Sequence, residues 1–474
     1  MTMSTVATIV LIGGFFVLMF MKIPVTFSLL LSTCTAALIE GTNLTTIVRM
    51  MIDGVNNVSL LSIPFFILMG EIMSVGEISD KIVDLANLVV GRFRGGLAYV
   101  NCLDSMFFGG ISGSAVADVS SLGAIVIPLQ VKQGYSPEFS VALTVTTACE
   151  GVLIPPSHNM VIYALAAGAG VSIGSMFMAG ILPGILLGLA LMTMCFVMRF
   201  RYNFPKGDKI GKGDRVRWMK FSKSVSKKWT SYKDPETWLV LENPGFRFEM
   251  GKCMQIIANA ILPMMTLVII MVGVAVGVFT ATESSAIACV YTFILTYFVY
   301  RKDKIRNFPK VLKNSLRILA VVMTLLATAK AFAYMMTALR IPAKLTMLLL
   351  SITDNKYILL IIINLLLLLL GCFMDMAPLI LIMTPILLPV VTSPMIGMSP
   401  IHFGIMLILN LATGLCTPPV GSALFVGCAV GGTTIEKTTK ALIPMFLVMF
   451  ATLMIVTFIP GFSLMIPNAL GMSV

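Results

Sequence analysis

Three acidic side chains, Asp118, Glu150 and Asp375, stand inside long apolar runs of the chain. A charge surrounded by hydrocarbon is costly, so each is a candidate for handling an ion or a polar substrate. Two of them follow unusual stretches: Gly109-Gly110-Ile111-Ser112-Gly113-Ser114 ahead of Asp118, and Gly371-Cys372-Phe373-Met374 ahead of Asp375. Glu150 lies one turn before Ile154-Pro155-Pro156-Ser157, a double proline that recurs as Thr417-Pro418-Pro419-Val420. Proline removes a backbone donor and clashes with the preceding turn, so both double prolines predict broken helices. A break frees carbonyls that can bind a cation, and it starts a half-helix whose N–H groups and positive dipole end can hold a carboxylate. Two cation sites with an anionic substrate between them are expected.

Ser112 and Ser114 are small hydroxyls flanked by glycines, which suits close backbone approach to an ion; the competing reading is helix packing in lipid, which also needs small residues. Ser157, His158 and Asn159 begin the half-helix after Pro156, where a hydroxyl, a ring and an amide face the same region as the free N–H groups. The competing reading there is an N-cap. Asp118 and Asp375 are placed to help hold a cation, polarise a tip or bond to a substrate hydroxyl. Glu150 is expected to pair with His158 or to cap the break, and Glu71 and Lys330 to pair across two equivalent helices.

The elements that must carry these groups follow from composition. Of the 474 residues, 58% are hydrophobic and only 11% charged, less than half the ~25% of soluble domains. The chain belongs in a membrane. Residues 199–252 hold 14 of the 33 Lys and Arg but 6 of the 21 Asp and Glu, so this one loop carries +8 of the net +12. That bias reads as membrane topology and attraction to anionic lipid headgroups, with no case for nucleic acid. The loop also contains Trp218, Trp229 and Trp238, and its Asp234-Pro235-Glu236 and Asn243-Pro244-Gly245 turns argue against a long helix. Nine cysteines without a CxxC form neither a zinc site nor a disulfide framework, and two histidines are too few for an imidazole-based metal or haem enzyme. The first apolar run reads as a retained span, because no positive segment precedes it and no cleavage site follows it.

A span needs ~20 apolar residues. The segments 97–132 and 357–396 are too long for one crossing, and each has glycines or polar residues near its middle, so both predict helical hairpins that enter the membrane and turn back. The landmarks occur twice in one order. Ser136-Pro137 and Ser399-Pro400 stand 263 residues apart, as do Pro155-Pro156 and Pro418-Pro419; Gly110 and Gly371 stand 261 apart. The chain reads as two copies of one unit: three helices, a hairpin, a broken helix and a last helix. With the basic loop in the cytoplasm, the remaining Lys and Arg clusters fall on the same side if the second copy is inverted, which places both termini in the periplasm. Charges at helical spacing predict amphipathic arms at 77–95 and 340–356, lying along the membrane surface. Inverted repeats with matched breaks point to a secondary transporter.

The expected organisation is an all-α polytopic membrane protein. Scaffold helices and an arm occupy 1–96, the first transport half 97–168, a scaffold helix 169–198, the basic loop 199–252, further scaffold and arm 253–356, the second transport half 357–431, and a last helix 432–474. The two transport halves hold the polar groups and are expected to move as a block.

Met106 to Asp118, Ile154 to Ser157, Gly277-Val278-Phe279-Thr280-Ala281-Thr282-Glu283, Gly371 to Asp375 followed by Thr384-Pro385-Ile386-Leu387-Leu388-Pro389, and Gly414 to Gly421 together resemble the large membrane subunit of tripartite ATP-independent periplasmic (TRAP) transporters. The resemblance spans nearly the whole chain except about 205–250. It implies an elevator-type, sodium-coupled importer of organic acids in the bacterial inner membrane, working with a small four-helix membrane subunit and a periplasmic substrate-binding protein. Carried over residue by residue, it implies one sodium site at Gly109, Ser112, Gly151, Ile154 and Ser157, and another at Gly371, Gly414, Thr417 and Val420. Ile154 and Val420 offer only carbonyls. Candidate substrate contacts are Ser114, Asp118, Ser157, His158, Asn159 and Asp375. His158, Asn159 and Glu150 depart from the common pattern, which suggests a subgroup with its own substrate preference. No small-subunit helices are fused ahead of the first span, so that partner is expected as a separate chain.

No cofactor is implied beyond sodium as coupling ion, and no transition metal. A stand-alone sodium- or proton-coupled elevator carrier for dicarboxylates or oxyanions is the alternative. A membrane enzyme is disfavoured, since no nucleophile–base pair recurs near a break. Sialic acid, other sugar acids and C4-dicarboxylates all fit as substrates.

Overall fold

The computed structural model describes residues 3–76, 78–91, 93–168, 170–201, 250–301, 304–353, 355–418 and 421–472. Most of the basic loop, with its three tryptophans, and Val420 lie outside the described residues. Everything described is helix, turn or loop, without a strand. Among the described residues, eight helices are long and apolar enough to cross a membrane.

The first repeat runs α1 (Met3–Phe20), α2 (Val25–Glu40), α3 (Leu44–Val55), α4 (Ser62–Val75), the arm α5 (Ile78–Val90), the hairpin α6 (Gly96–Ser112) and α7 (Ala115–Lys132), the broken helix α8 (Pro137–Gly151) and α9 (His158–Ala167), and α10 (Ile173–Arg201). The second runs α11 (Met250–Ala275), α12 (Ala281–Ile294), α13 (Phe308–Ala338), the arm α14 (Ile341–Ile352), the hairpin α15 (Lys356–Gly371) and α16 (Met376–Val391), the broken helix α17 (Pro400–Leu415) and α18 (Ser422–Gly431), and α19 (Ile435–Phe458), followed by α20 (Gly461–Ala469). Paired helices stand at both predicted hairpins, both double prolines interrupt a helix, and a short helix occupies each predicted arm.

Local chemistry explains the boundaries. Ser136 caps α8 by accepting from the Phe139 N–H at 3.2 Å, with Pro137 at the first helical position. Ser399 and Pro400 repeat this arrangement at α17. Proline there costs nothing, because that N–H has no partner in any helix. Neither half of a broken helix spans ~30 Å alone at 1.5 Å per residue, but α8 with α9, or α17 with α18, does. One element departs from expectation. The third helix of the first repeat is split into α3 and α4 by Asn56-Asn57 and a 3₁₀ turn (Val58–Leu61), whereas its counterpart α13 is continuous. Arg49 and Asp53 made α3 too polar to count as a span.

The helices divide into two packing groups. α1, α2, α3, α4, α11, α12 and α13 pack chiefly on one another, while α6 to α10 and α15 to α20 form the second group. The arm α5 bridges α6 and α11, and α14 bridges α16 and α13. Between the two repeats the contacts are reciprocal: α9 lies on α16, and α18 lies on α7.

Candidate functional site: two hairpin tips against two helix breaks

The first tip is set by backbone conformation. Gly113 turns the chain out of α6 in the left-handed region, at φ 62°, and its N–H donates to the Gly109 carbonyl at 2.7 Å. Ser114 then caps α7, its hydroxyl accepting from the Ala117 N–H at 3.4 Å, and Asp118 falls in the first turn, where the helix dipole favours an anion. This tip meets the first break without a side chain between them. A methyl group on Gly109 would lie 2.1 Å from the Gly151 Cα, and one on Gly113 would lie 3.2 Å from both the Pro156 carbonyl oxygen and the His158 ring. The Asn159 amide donates to the Gly113 carbonyl at 3.3 Å and ties the start of α9 to the tip.

The second tip repeats the contact. A methyl on Gly414, at the end of α17, would lie 2.8 Å from the Gly371 Cα, at the end of α15. Asp375 precedes α16 and accepts from the Ser422 hydroxyl at 3.4 Å, linking this tip to the start of α18. The glycine pairs Gly109/Gly151 and Gly371/Gly414 are equivalent positions of the two repeats, and in both the backbone of a tip touches the backbone of a break.

Carbonyl oxygens stand close to both contacts, that of Pro156 beside Gly113 and that of Gly371 beside Gly414. Ser157 is fully buried at the N-cap of α9, yet its hydroxyl makes no cap bond and no other hydrogen bond. The N-cap reading therefore fails for Ser157, and its lone pairs are open to a ligand. Thr417 donates to the Thr413 carbonyl at 2.9 Å, which leaves its oxygen able to accept or coordinate. Ile154 directs its side chain to α10, where only a glycine at 184 makes room for it, so the carbonyl is its one polar contribution. Hard oxygen donors of this kind suit an alkali cation. Ser112 ends α6 at the tip, and its hydroxyl lies outside what is described.

The acids sort differently. Asp118 is buried beside Ser105, with neither oxygen in hydrogen-bond geometry. Glu150, also fully buried, makes no hydrogen bond to His158, whose ring lies against Gly113 instead. Glu71 sits beside Asn314 on α13. That is 16 residues from Lys330, about 24 Å at 1.5 Å per residue, so the expected Glu71–Lys330 pair does not form. Among the described residues no group of three or more His, Cys, Asp or Glu could hold a metal ion.

Two structural devices escaped the sequence reading. Gly180, Gly184 and Gly188 form a stripe along α10 that seats the first break: methyls there would lie 2.3 Å from the Leu153 carbonyl oxygen, 2.6 Å from the Ile154 side chain and 2.6 Å from the Met106 sulfur. Their four-residue spacing was the available signal. The other device is the crossing of the broken helices. The Cys149 thiol donates to the Ala412 carbonyl at 3.1 Å and lies 3.0 Å from the Cys416 sulfur. Cys149 and Ala412 stand 263 apart, so the contact joins equivalent positions and marks where the pseudo-twofold passes.

The family model for the DctM component of tripartite ATP-independent periplasmic transporters matches residues 12–462. The chain belongs to this family. It is 35% identical over 416 residues to the C4-dicarboxylate TRAP transporter large permease protein DctM of Pseudomonas aeruginosa, covering 88% of this chain and 87% of that one. To the sialic acid TRAP transporter large permease protein SiaM of Vibrio cholerae it is 32% identical over 458 residues, with 96% and 97% covered. The YdaH transporter of Alcanivorax borkumensis shares its fold, at a TM-score of 0.59 and 14% identity over 88% of each chain. The protein is thus a large TRAP permease subunit and not an enzyme, and the tips and breaks are elements of a transporter.

Proposed function

We propose that this permease imports an organic acid across the bacterial inner membrane, driven by sodium held at the two tip-and-break contacts. The observation that carries this reading is the pair of symmetry-related glycine contacts, each bringing a tip backbone against freed carbonyls, one beside the unpartnered Ser157 hydroxyl and the other beside Thr417. The first site comprises Gly109, Ser112, Gly151, Ile154 and Ser157; the second comprises Gly371, Gly414, Thr417 and Val420. The substrate lies between them, within reach of Ser114, Asp118, His158, Asn159 and Asp375. Its class is a C4-dicarboxylate, sialic acid or another sugar acid, delivered by a periplasmic binding protein, with a separate small membrane subunit against the scaffold.

The moving unit in this proposal differs from the sequence expectation in one respect. α10 is seated on the first break through its glycine stripe, and α19 packs on α8 and α17. Both last helices therefore travel with the block, and the scaffold reduces to α1–α4 and α11–α13. Both termini lie on the periplasmic side.

The test is uptake into proteoliposomes containing both membrane subunits. Uptake should require an inward sodium gradient and the binding protein together. Full uptake with sodium replaced by choline, or with this chain alone, would reject the proposal, the second result in favour of a stand-alone carrier.

A further inference from the structure

A cavity of about 100 Å³ lies where the two packing groups meet. One wall is α3 and α13, with Asp53 and Lys330; the other is the end of α9 and the middle of α16, with Leu165, Ala166, Leu381 and Pro385. Lys330 is the one charge in the apolar stretch 318–339, close to midway between Arg317 and Arg340. A lysine at that depth is a functional candidate by default, because lipid gives its ammonium no counter-charge. Its placement is built into the packing. α3 crosses α13 at Gly54, where a methyl group would lie 2.8 Å from the Lys330 Cβ and 3.1 Å from the Leu326 carbonyl oxygen. The glycine brings the helices together and leaves Lys330 and the adjacent Asp53 on one cavity. Among the described residues neither side chain makes an ion pair or a hydrogen bond. The Lys330 ammonium is therefore available to a mobile anion.

The cavity also lies along the helices that leave the tip-and-break contacts. Leu165 is seven residues into α9, and Leu381 and Pro385 are five and nine residues into α16, about 8–14 Å from those helix starts at 1.5 Å per residue. The cavity has room for ordered water and for a carboxylate group. We propose that this cavity is a carboxylate subsite on the substrate's route, in which Lys330 attracts the acid group and Asp53 weakens the hold so that the anion moves on. The proposal rests on organic-acid transport for its biological substrate, while the site itself is defined by charge.

It is tested with methanethiosulfonate reagents of opposite charge on the purified permease freed of its native cysteines. Single cysteines are placed on the two walls, Ala333→Cys and Ala166→Cys, and the labelling rates of the anionic sulfonatoethyl and cationic trimethylammonioethyl reagents are compared. With Lys330 present the anionic reagent should be favoured. Lys330→Met should lower the anionic-to-cationic rate ratio several-fold, as expected for removing one charge beside the labelled positions. Lys330→Arg should preserve the ratio, and Asp53→Asn should raise it. An unchanged ratio in Lys330→Met, or no labelling at either wall, would overturn the proposal. Absence of organic-acid uptake by the reconstituted system would instead count against the transport reading, because labelling is read without substrate.

Discussion

A methyl group on Gly109 would stand 2.1 Å from the Gly151 Cα, while one on Gly371 would stand 3.2 Å from the Gly414 Cα. The first must displace backbone; the second asks for a few tenths of an ångström. Gly109→Ala should therefore lower thermal stability by about 1–3 kcal/mol, as overpacking does, and Gly371→Ala by clearly less; equal losses in detergent-solubilised protein would mean that the first tip is not the more tightly packed of the two. Ser157 supports a sharper expectation. Its hydroxyl is buried without a partner, so Ser157→Ala removes an unsatisfied group and should leave stability unchanged or raised in choline chloride. A cation bound only by the folded state stabilises it by mass action. Sodium should accordingly raise the melting temperature of the wild type and raise that of Ser157→Ala less. The same sodium increment in both would remove Ser157 from the ion's coordination.

The breaks, tips and arms could be read from sequence because proline, glycine runs and charge spacing are local signals with local causes. What joins them is not local. The reciprocal contacts of α9 with α16 and α18 with α7 depend on how two repeats interlock, and their side chains conceal the symmetry by exchanging size. Tyr163 of α9 fills the space left by Gly404 of α17, whereas at the equivalent contact Gly427 of α18 leaves room for Val141 and Val145 of α8. The helix α3 was hidden for a different reason, since Arg49 and Asp53 lower its hydropathy although it packs on α13 through Gly54. The α10 stripe was legible but ambiguous, because glycines four apart serve any close helix contact. Its prediction is specific: Gly180→Ala meets the Leu153 carbonyl, whereas Gly188→Ala meets the flexible Met106 and Glu150 side chains. Gly180→Ala should weaken sodium activation of uptake several-fold more than Gly188→Ala. Equal effects would show that the stripe does not position the break.

Across the whole molecule, the two packing groups touch along few surfaces, chiefly α13 against α16 and α4 against α6 and α9, while each group is densely packed within itself. Such a division suits rigid-body sliding, in which the polar tips and breaks stay together around the ligand. In the proposed cycle the inverted repeats would supply the two end states, each repeat taking at one side the contacts the other makes at the opposite side. The most direct measurement is cysteine crosslinking across the α13–α16 surface in the reconstituted transporter on a cysteine-free background. Ala333→Cys on α13 is paired in turn with Ala377→Cys, Leu381→Cys and Leu388→Cys on α16, which span about 16 Å of helix at 1.5 Å per residue. The pair with Leu381 should form in one conformation. Sodium with substrate-loaded binding protein should shift the crosslink to Ala377 or Leu388, and locking any one pair should stop uptake until it is reduced. A single register under every condition, in a protein that still transports, would contradict sliding and place alternation in gates around a fixed barrier.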